Sequence, residues 1–282
     1  MTVAELLAQV RETLAAAGVP TPEVDAALLV RHALNLSATR LVTAAAEPLP
    51  PNGWSTRLAP LVARRAAREP LQLLLGSLGF RHLDLEVRPG VFLPRPETEV
   101  LAGEALARLP AGGLALEPCT GTGAVACALA DEGDGVRVVA TDRSPAAVAL
   151  ARDNAARLHL DVTVLLGDLL APVPGELRGT ADVLVANPPY LAERELADLE
   201  PEVRDHDPVA ALVSGPTGLE LVARLLDEGP AWLRPAGWLL LEVDTSRAGA
   251  TAALARAAGL IEVAIARDLT GVDRVVLARR PS

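Results

Sequence analysis

The chain has 282 residues, is half hydrophobic, and carries a formal net charge of -10. That length supports one large or two ordinary domains with a sizeable core. Two cysteines (Cys119 and Cys127) and four scattered histidines (His32, His82, His159 and His206) supply neither a disulfide framework nor a ligand set for a metal site.

All 26 basic residues are arginine. The first 80 residues carry 7 Arg against 6 acids, and the remainder 19 Arg against 30 acids. A second part that acidic repels phosphate backbones, so direct nucleic-acid binding is not expected. No positively charged apolar leader opens the chain, and no apolar run reaches membrane-spanning length. The expectation is a cytoplasmic monomer with no membrane association.

In chain order, residues 2–17 place Val3, Leu6, Leu7, Val10 and Leu14 on one helical face, and Gly18 stops that helix. Thr21-Pro22-Glu23 restarts one, with Thr21 expected as the cap. Ser37 begins a short helical piece, the prolines from 48 to 51 break the chain, and 54–68 is helical again. Residues 1–74 therefore read as a small helical bundle, a docking domain without a chemical constellation. Residues 75–95, punctuated by Gly76, Gly79 and Gly90, read as a β-hairpin linker. Arg95-Pro96-Glu97-Thr98-Glu99 leads into a helix reaching about Leu109. Arg95 and Thr98 are candidate ligand contacts, although a surface charge and an ordinary helix start are the plainer readings.

From Leu114, strand and helix alternate. Strands are predicted at 114–117, 136–141, 162–165, 182–186, 238–243, 261–266 and 274–279. Helices are predicted near 122–131, 145–158, 217–233 and 246–258. This pattern implies an α/β, doubly wound, seven-stranded and mostly parallel sheet spanning 96–282.

Strand 114–117 runs into Glu117-Pro118-Cys119-Thr120-Gly121-Thr122-Gly123 and a helix follows. The glycines allow close backbone approach, and a helix N-terminus favours a carboxylate or phosphate. Strict G-x-G-x-x-G is absent, because position 126 is Ala. Asp142 ends the second strand, where an acid can accept ribose hydroxyls. The third strand leads to Asp168-Leu169, an acceptor for an adenine amino group beside an apolar contact. Singly, each acid reads as a turn former or a cap; at the ends of successive strands they form a nucleoside site.

The fourth strand, Val183-Leu184-Val185-Ala186, ends in Asn187-Pro188-Pro189-Tyr190. Two prolines cannot continue a strand, so the chain turns stiffly at the carboxyl end of the sheet, where ligands bind in such folds. The Asn187 side-chain oxygen and the Pro188 carbonyl suit the two N–H groups of a planar amide or amino-purine, with Tyr190 stacking on its plane. Asn187 thus borders both the catalytic and the nucleoside positions, and Pro189 stiffens the corner. A proline-rich turn is the plain alternative.

Glu117-x-Cys119-x-Gly121-x-Gly123, Asp142, Asp168 and Asn187-Pro188-Pro189-Tyr190 together resemble the class I S-adenosylmethionine-dependent methyltransferases that alkylate planar nitrogen. With Arg64–Leu71, Pro89–Glu99 and Gly218-Leu219-Glu220, the chain is similar over nearly its full length to the HemK/PrmC family, the release factor glutamine methyltransferases. The resemblance implies S-adenosylmethionine as cofactor, held around residues 117–123, 142, 168, 169 and 187. It also implies methylation of the glutamine amide nitrogen in the Gly-Gly-Gln loop of class 1 peptide chain release factors. Family members commonly carry Asp and Gly where this chain has Glu117 and Cys119, and Asp244-Thr245-Ser246 departs from their pattern. An adenine-N6 nucleic-acid methyltransferase, or a glutamine methyltransferase of a ribosomal protein, is the alternative. Residues 193–207 hold seven acids against two arginines, which reads either as a solvated face or as a landing surface for a basic partner.

Overall fold

A computed structural model of the chain describes every residue except Asn52, and separates it into two compact units. The first comprises Met1–Ser77 and Glu200–His206; the second comprises Leu78–Leu199 and Asp207–Ser282. Among the described residues, no helix is long and apolar enough to cross a membrane.

The first unit contains α1 (Val3–Ala16), α2 (Pro22–Leu34), α3 (Ala38–Thr43), α4 (Trp54–Ala66), α5 (Leu71–Leu75) and, from far along the chain, α9 (Pro201–Arg204). Val3, Leu6, Val10 and Leu14 are buried on one face of α1, as the spacing predicts. Thr2 and Glu5 close a capping box at its start. Ser37 caps α3 as expected. Thr21 does not cap α2: its hydroxyl donates instead to Asp25 Oδ1 at 2.9 Å. Asp25 needs that bond because it is buried with Arg65, whose Nε donates to Asp25 Oδ2 at 2.6 Å. Arg65 also donates to Glu202 on α9, and Arg68 pairs with both Glu200 and Glu202.

The second unit opens at Leu78, inside β1 (Ser77–Phe80), which pairs with β2 (Leu83–Glu86) in a two-stranded sheet joined at Arg81-His82. The hairpin is shorter than predicted, since no strand lies between Val87 and Arg95. Then follow α6 (Thr98–Leu106), β3 (Leu114–Pro118), α7 (Ala124–Glu132), β4 (Arg137–Asp142), α8 (Pro145–Arg157), β5 (Val162–Leu166) and β6 (Ala181–Ala186). Next come β7 (Leu191–Ala192), α10 (Val209–Leu212), β8 (Val213–Gly215), α11 (Glu220–Glu228), β9 (Leu233–Glu242), α12 (Thr245–Ala257), β10 (Ile261–Arg267) and β11 (Asp273–Arg279).

The main sheet has seven strands in the order β10-β11-β9-β6-β3-β4-β5, with β11 antiparallel to both of its neighbours and the other pairings parallel. This is the mostly parallel, doubly wound sheet predicted. Strand β6 is buried along its whole length, because helices cover both faces of a parallel sheet. Burial of each Val or Leu there contributes about 1.5–3 kcal/mol.

Two boundaries differ from the prediction because of packing and strand register. The helix predicted at 217–233 is confined to 220–228: Gly218, at φ +80°, packs against the Tyr190 carbonyl, and Pro230 follows in a short 3-10 turn. Strand β9 begins five residues earlier than predicted, with an irregular register where Ala181 and Val183 meet it.

Candidate active site

Strand order reverses between β3 and β6, so the loops after these two strands diverge and leave a crevice at their carboxyl ends. Leu116 pairs with Leu184, Pro118 with Thr141, and Ala186 with Leu241. Continuing these registers sets Asp142, Cys119, Asn187 and Glu242 at one level on four adjacent strands. Asp142 and Asn187 are therefore two strand spacings apart, roughly 10 Å.

The glycine-rich loop follows β3. Gly121 and Gly123 adopt φ +57° and +81°, and Gly123 begins α7 without a side-chain cap. A Cβ on Gly121 would meet only the Phe92 carbonyl, at 4.0 Å, whereas one on Gly123 would meet the Ala151 Cβ at 3.0 Å. Gly121 thus keeps the loop backbone accessible and Gly123 lets α7 pack on α8. Cys119 is also left-handed, at φ +64°. A non-glycine residue there costs about 1–2 kcal/mol. Its thiol is pushed well up by burial and by the Asp142 charge.

Beneath the loop, Glu117 is buried and accepts from Thr120 Oγ1 at 2.6 Å. Burial raises its carboxyl to about 8, against the opposing hydrogen bonds from Thr120 and the Ala126 backbone. Glu117 is thereby a prop for the loop, and Thr120 and Thr122 are buried with it. Asp142 accepts from Gly121 N at 2.9 Å and from Ser144 N at 2.8 Å. Each of its oxygens retains a further lone pair.

At the end of β5, Asp168 is exposed and pairs with Arg224 on α11 at 2.8 Å. Leu169, at φ +44°, is buried in the core cluster that contains Val139, and its carbonyl accepts from Thr141. Asp168 is thus half of an ion pair, a partnership the sequence did not disclose.

After β6, Asn187 is half-buried, Pro188 and Pro189 are buried and Tyr190 is half-buried. Burial, and next the Glu242 charge, raise the Tyr190 hydroxyl well above its usual value. Asn187 Nδ2 donates to Glu242 Oε1 at 3.0 Å and to Thr98 Oγ1 at 3.4 Å. Thr98 Oγ1 lies 3.2 Å from the same Glu242 oxygen. Both Thr98 and Glu242 are buried. Thr98, a candidate ligand contact from the sequence, lies against the Asn187 amide. Arg95 forms an ion pair with Asp207 and stacks 4.9 Å from the Phe92 ring centroid, and its charge acts on the nearby Glu242 and Tyr190. Glu242 was not anticipated as a site residue; its position at the end of a strand beside β6 was the available signal.

Other expected groups are engaged by the fold. Asp244 caps α12 by accepting from Ser246 N at 2.9 Å, which accounts for Asp244-Thr245-Ser246. In the acidic stretch, Glu195 pairs with Arg247, Glu200 and Glu202 with Arg68, Asp205 with Arg204 and Asp207 with Arg95. Five of its seven acids thus form ion pairs with arginines of the chain.

The family description "PrmC N-terminal domain" matches residues 5–76, and "Methyltransferase small domain" matches residues 96–200. A release factor glutamine methyltransferase of Mycolicibacterium smegmatis is 44% identical over 271 residues, covering 95% of this chain and 94% of that protein. One from Deinococcus radiodurans is 42% identical over 283 residues, covering 99% of each. A methyltransferase structure from Pyrococcus furiosus superposes with a TM-score of 0.54 at 20% identity, covering 81% of this chain and 100% of that one, and bears on the fold alone. With relatives this similar along its whole length, the chain belongs to the release factor glutamine methyltransferase family.

Proposed function

We propose that this protein methylates the side-chain amide nitrogen of the glutamine in the Gly-Gly-Gln motif of class 1 peptide chain release factors, as a cytoplasmic enzyme using S-adenosylmethionine. The observation that carries the reading is Asn187. Its Nδ2 is tied to Glu242 and Thr98, which leaves Oδ1 as the end able to accept. When bound, S-adenosylmethionine supplies a methyl group activated by its sulfonium.

The residues present suit that cofactor. Gly121 leaves the loop backbone open beside an uncapped helix N-terminus, where a carboxylate is favoured. The spare lone pairs of Asp142 suit ribose hydroxyls, and Asp168 near the end of β5 suits an adenine amino group. Among the protein's own groups, Asn187 Oδ1 and the Pro188 carbonyl accept the two N–H groups of the substrate amide. Holding both raises electron density on nitrogen, whose lone pair is otherwise delocalised into its carbonyl. The diproline corner fixes the orientation, an effect worth several kcal/mol, up to about 7 or more in ideal cases. Tyr190 stacks on the amide plane. No side chain is assigned as a base, because the alkylated nitrogen is itself acidic.

Asn187→Ala is expected to lower kcat by about 100-fold or more while leaving cofactor affinity within a few-fold. Asp142→Ala should weaken cofactor binding instead. Labelled S-adenosylmethionine incubated in parallel with a release factor, its Gln→Ala variant and DNA checks the reading. Label on the wild-type release factor alone supports it; label on DNA, or on the Gln→Ala variant, sinks it.

A further inference from the structure

Asn187 can serve a substrate amide only one way round. Its Oδ1 can accept from an –NH2 group, whereas its Nδ2 would oppose one donor with another. A free asparagine amide rotates between these states, so something must choose. Glu242 Oε1 and Thr98 Oγ1 lie 3.0 and 3.4 Å from Nδ2. An ionised carboxylate only accepts, and the Thr98 hydroxyl is directed at the same Glu242 oxygen, so its lone pair faces Asn187. Reversing the amide would set two oxygens against each other across 3.0 Å.

The carboxylate is costly to keep here. Glu242 is 1% exposed, and its second oxygen, Oε2, has no hydrogen-bond partner among the described residues. A site needed only for packing is better served by an apolar side chain or by a satisfied one. Sheet register brings Glu242 beside Asn187, since Ala186 pairs with Leu241 immediately before them.

We infer that Glu242, with Thr98, is a positioning residue for methyl transfer: it fixes which end of the Asn187 amide faces the substrate glutamine. This rests on the activity proposed above and assigns the residue that makes the asparagine competent. Glu242 acts through Asn187 and touches no reacting atom itself.

The mechanism has a pH signature. The charged and titratable groups around Glu242 are Glu97 and Arg95 before α6, Arg274 on β11, and Tyr190 after β6. Burial dominates over them and over the Thr98 hydrogen bond, raising the Glu242 carboxyl to about 7. When protonated, Glu242 becomes a donor that also accommodates the reversed amide. The ionised form therefore carries activity, which falls as pH drops through that region.

The test measures kcat and KM for a release factor across pH 5.5 to 9, together with S-adenosylhomocysteine affinity by calorimetry. Glu242→Gln can bond either end of the asparagine amide. It should lower kcat by about 100-fold, leave KM and cofactor affinity within about three-fold, and abolish the acid limb. Thr98→Val removes a donor that favours the ionised carboxylate, so its acid limb should move to higher pH, with kcat recovering in alkali. A purely structural Glu242 would change stability and leave the limb where it is. The inference is overturned if Glu242→Gln keeps kcat within about three-fold of wild type, or if neither variant alters the acid limb. If Glu242→Gln fails to fold, the limb in Thr98→Val decides. A wild-type protein that labels no release factor defeats the activity assignment; an active wild type with inactive Asn187→Ala and normal Glu242→Gln defeats only this inference.

Discussion

Glu117 carries a measurable consequence for the loop it supports. Its carboxyl ordinarily titrates at 4.5, and burial raises it to about 8 in the fold. Across that window the folded chain holds a proton that the unfolded chain has released. Stability therefore falls as pH rises, by up to about 1.4 kcal/mol per pH unit for this one group. Glu242 acts in the same direction over a narrower range. Glu117→Gln removes the titration while keeping an oxygen that can accept from Thr120. Its urea midpoint, measured against wild type, should improve steadily from pH 6 to pH 8; a constant difference would mean that Glu117 is ionised in the fold. Glu117 and Cys119 were legible as members of a ligand-binding loop. Their different local roles, a buried prop and a strained left-handed residue, depend on burial and φ, which adjacent residue types do not report.

Among the elements, the helical unit turns on one buried arginine. Arg65 on α4 is 5% exposed and bonds Asp25 on α2, Glu202 on α9 and the Glu69 carbonyl. Arg65→Ala would leave Asp25 as an uncompensated buried charge, a loss of about 3–5 kcal/mol. Adding Asp25→Asn should recover part of it, because the stranded group is then neutral. Thermal unfolding of the two variants checks this, and an additive double variant would contradict it. The helices themselves were readable from apolar spacing and glycine stops. Thr21 was misread as a cap because its hydroxyl is recruited by Asp25, a group whose burial was not visible along the chain. The predicted helix at 217–233 was shortened where Gly218 packs between the Tyr190 carbonyl and Arg247, and Arg247 bonds the Thr217 carbonyl, contacts between residues far apart in sequence.

For the whole molecule, the charge argues about partners. The chain carries -10, concentrated after residue 80, and much of the acidic 193–207 stretch is engaged by arginines of the fold. Fluorescence polarisation with labelled duplex or single-stranded DNA should show no binding in the micromolar range at physiological salt, against the roughly 10⁻⁴–10⁻⁶ M of ordinary non-specific DNA binders. Tight, salt-sensitive binding would revive the adenine alternative that Asn187-Pro188-Pro189-Tyr190 also permits.

The sequence by itself determined the alternation of strands and helices, the glycine-rich loop after β3 and the diproline corner after β6, because periodicity and backbone restriction are local properties. It also carried enough motif to indicate the family. Only the tertiary structure decided that Glu242 and Thr98 hold Asn187, that Arg224 holds Asp168, and that Arg95 belongs to Asp207. Each is a polar partnership between residues far apart in the chain. Strand order and register select such partners, after which burial makes each bond costly to leave unmade.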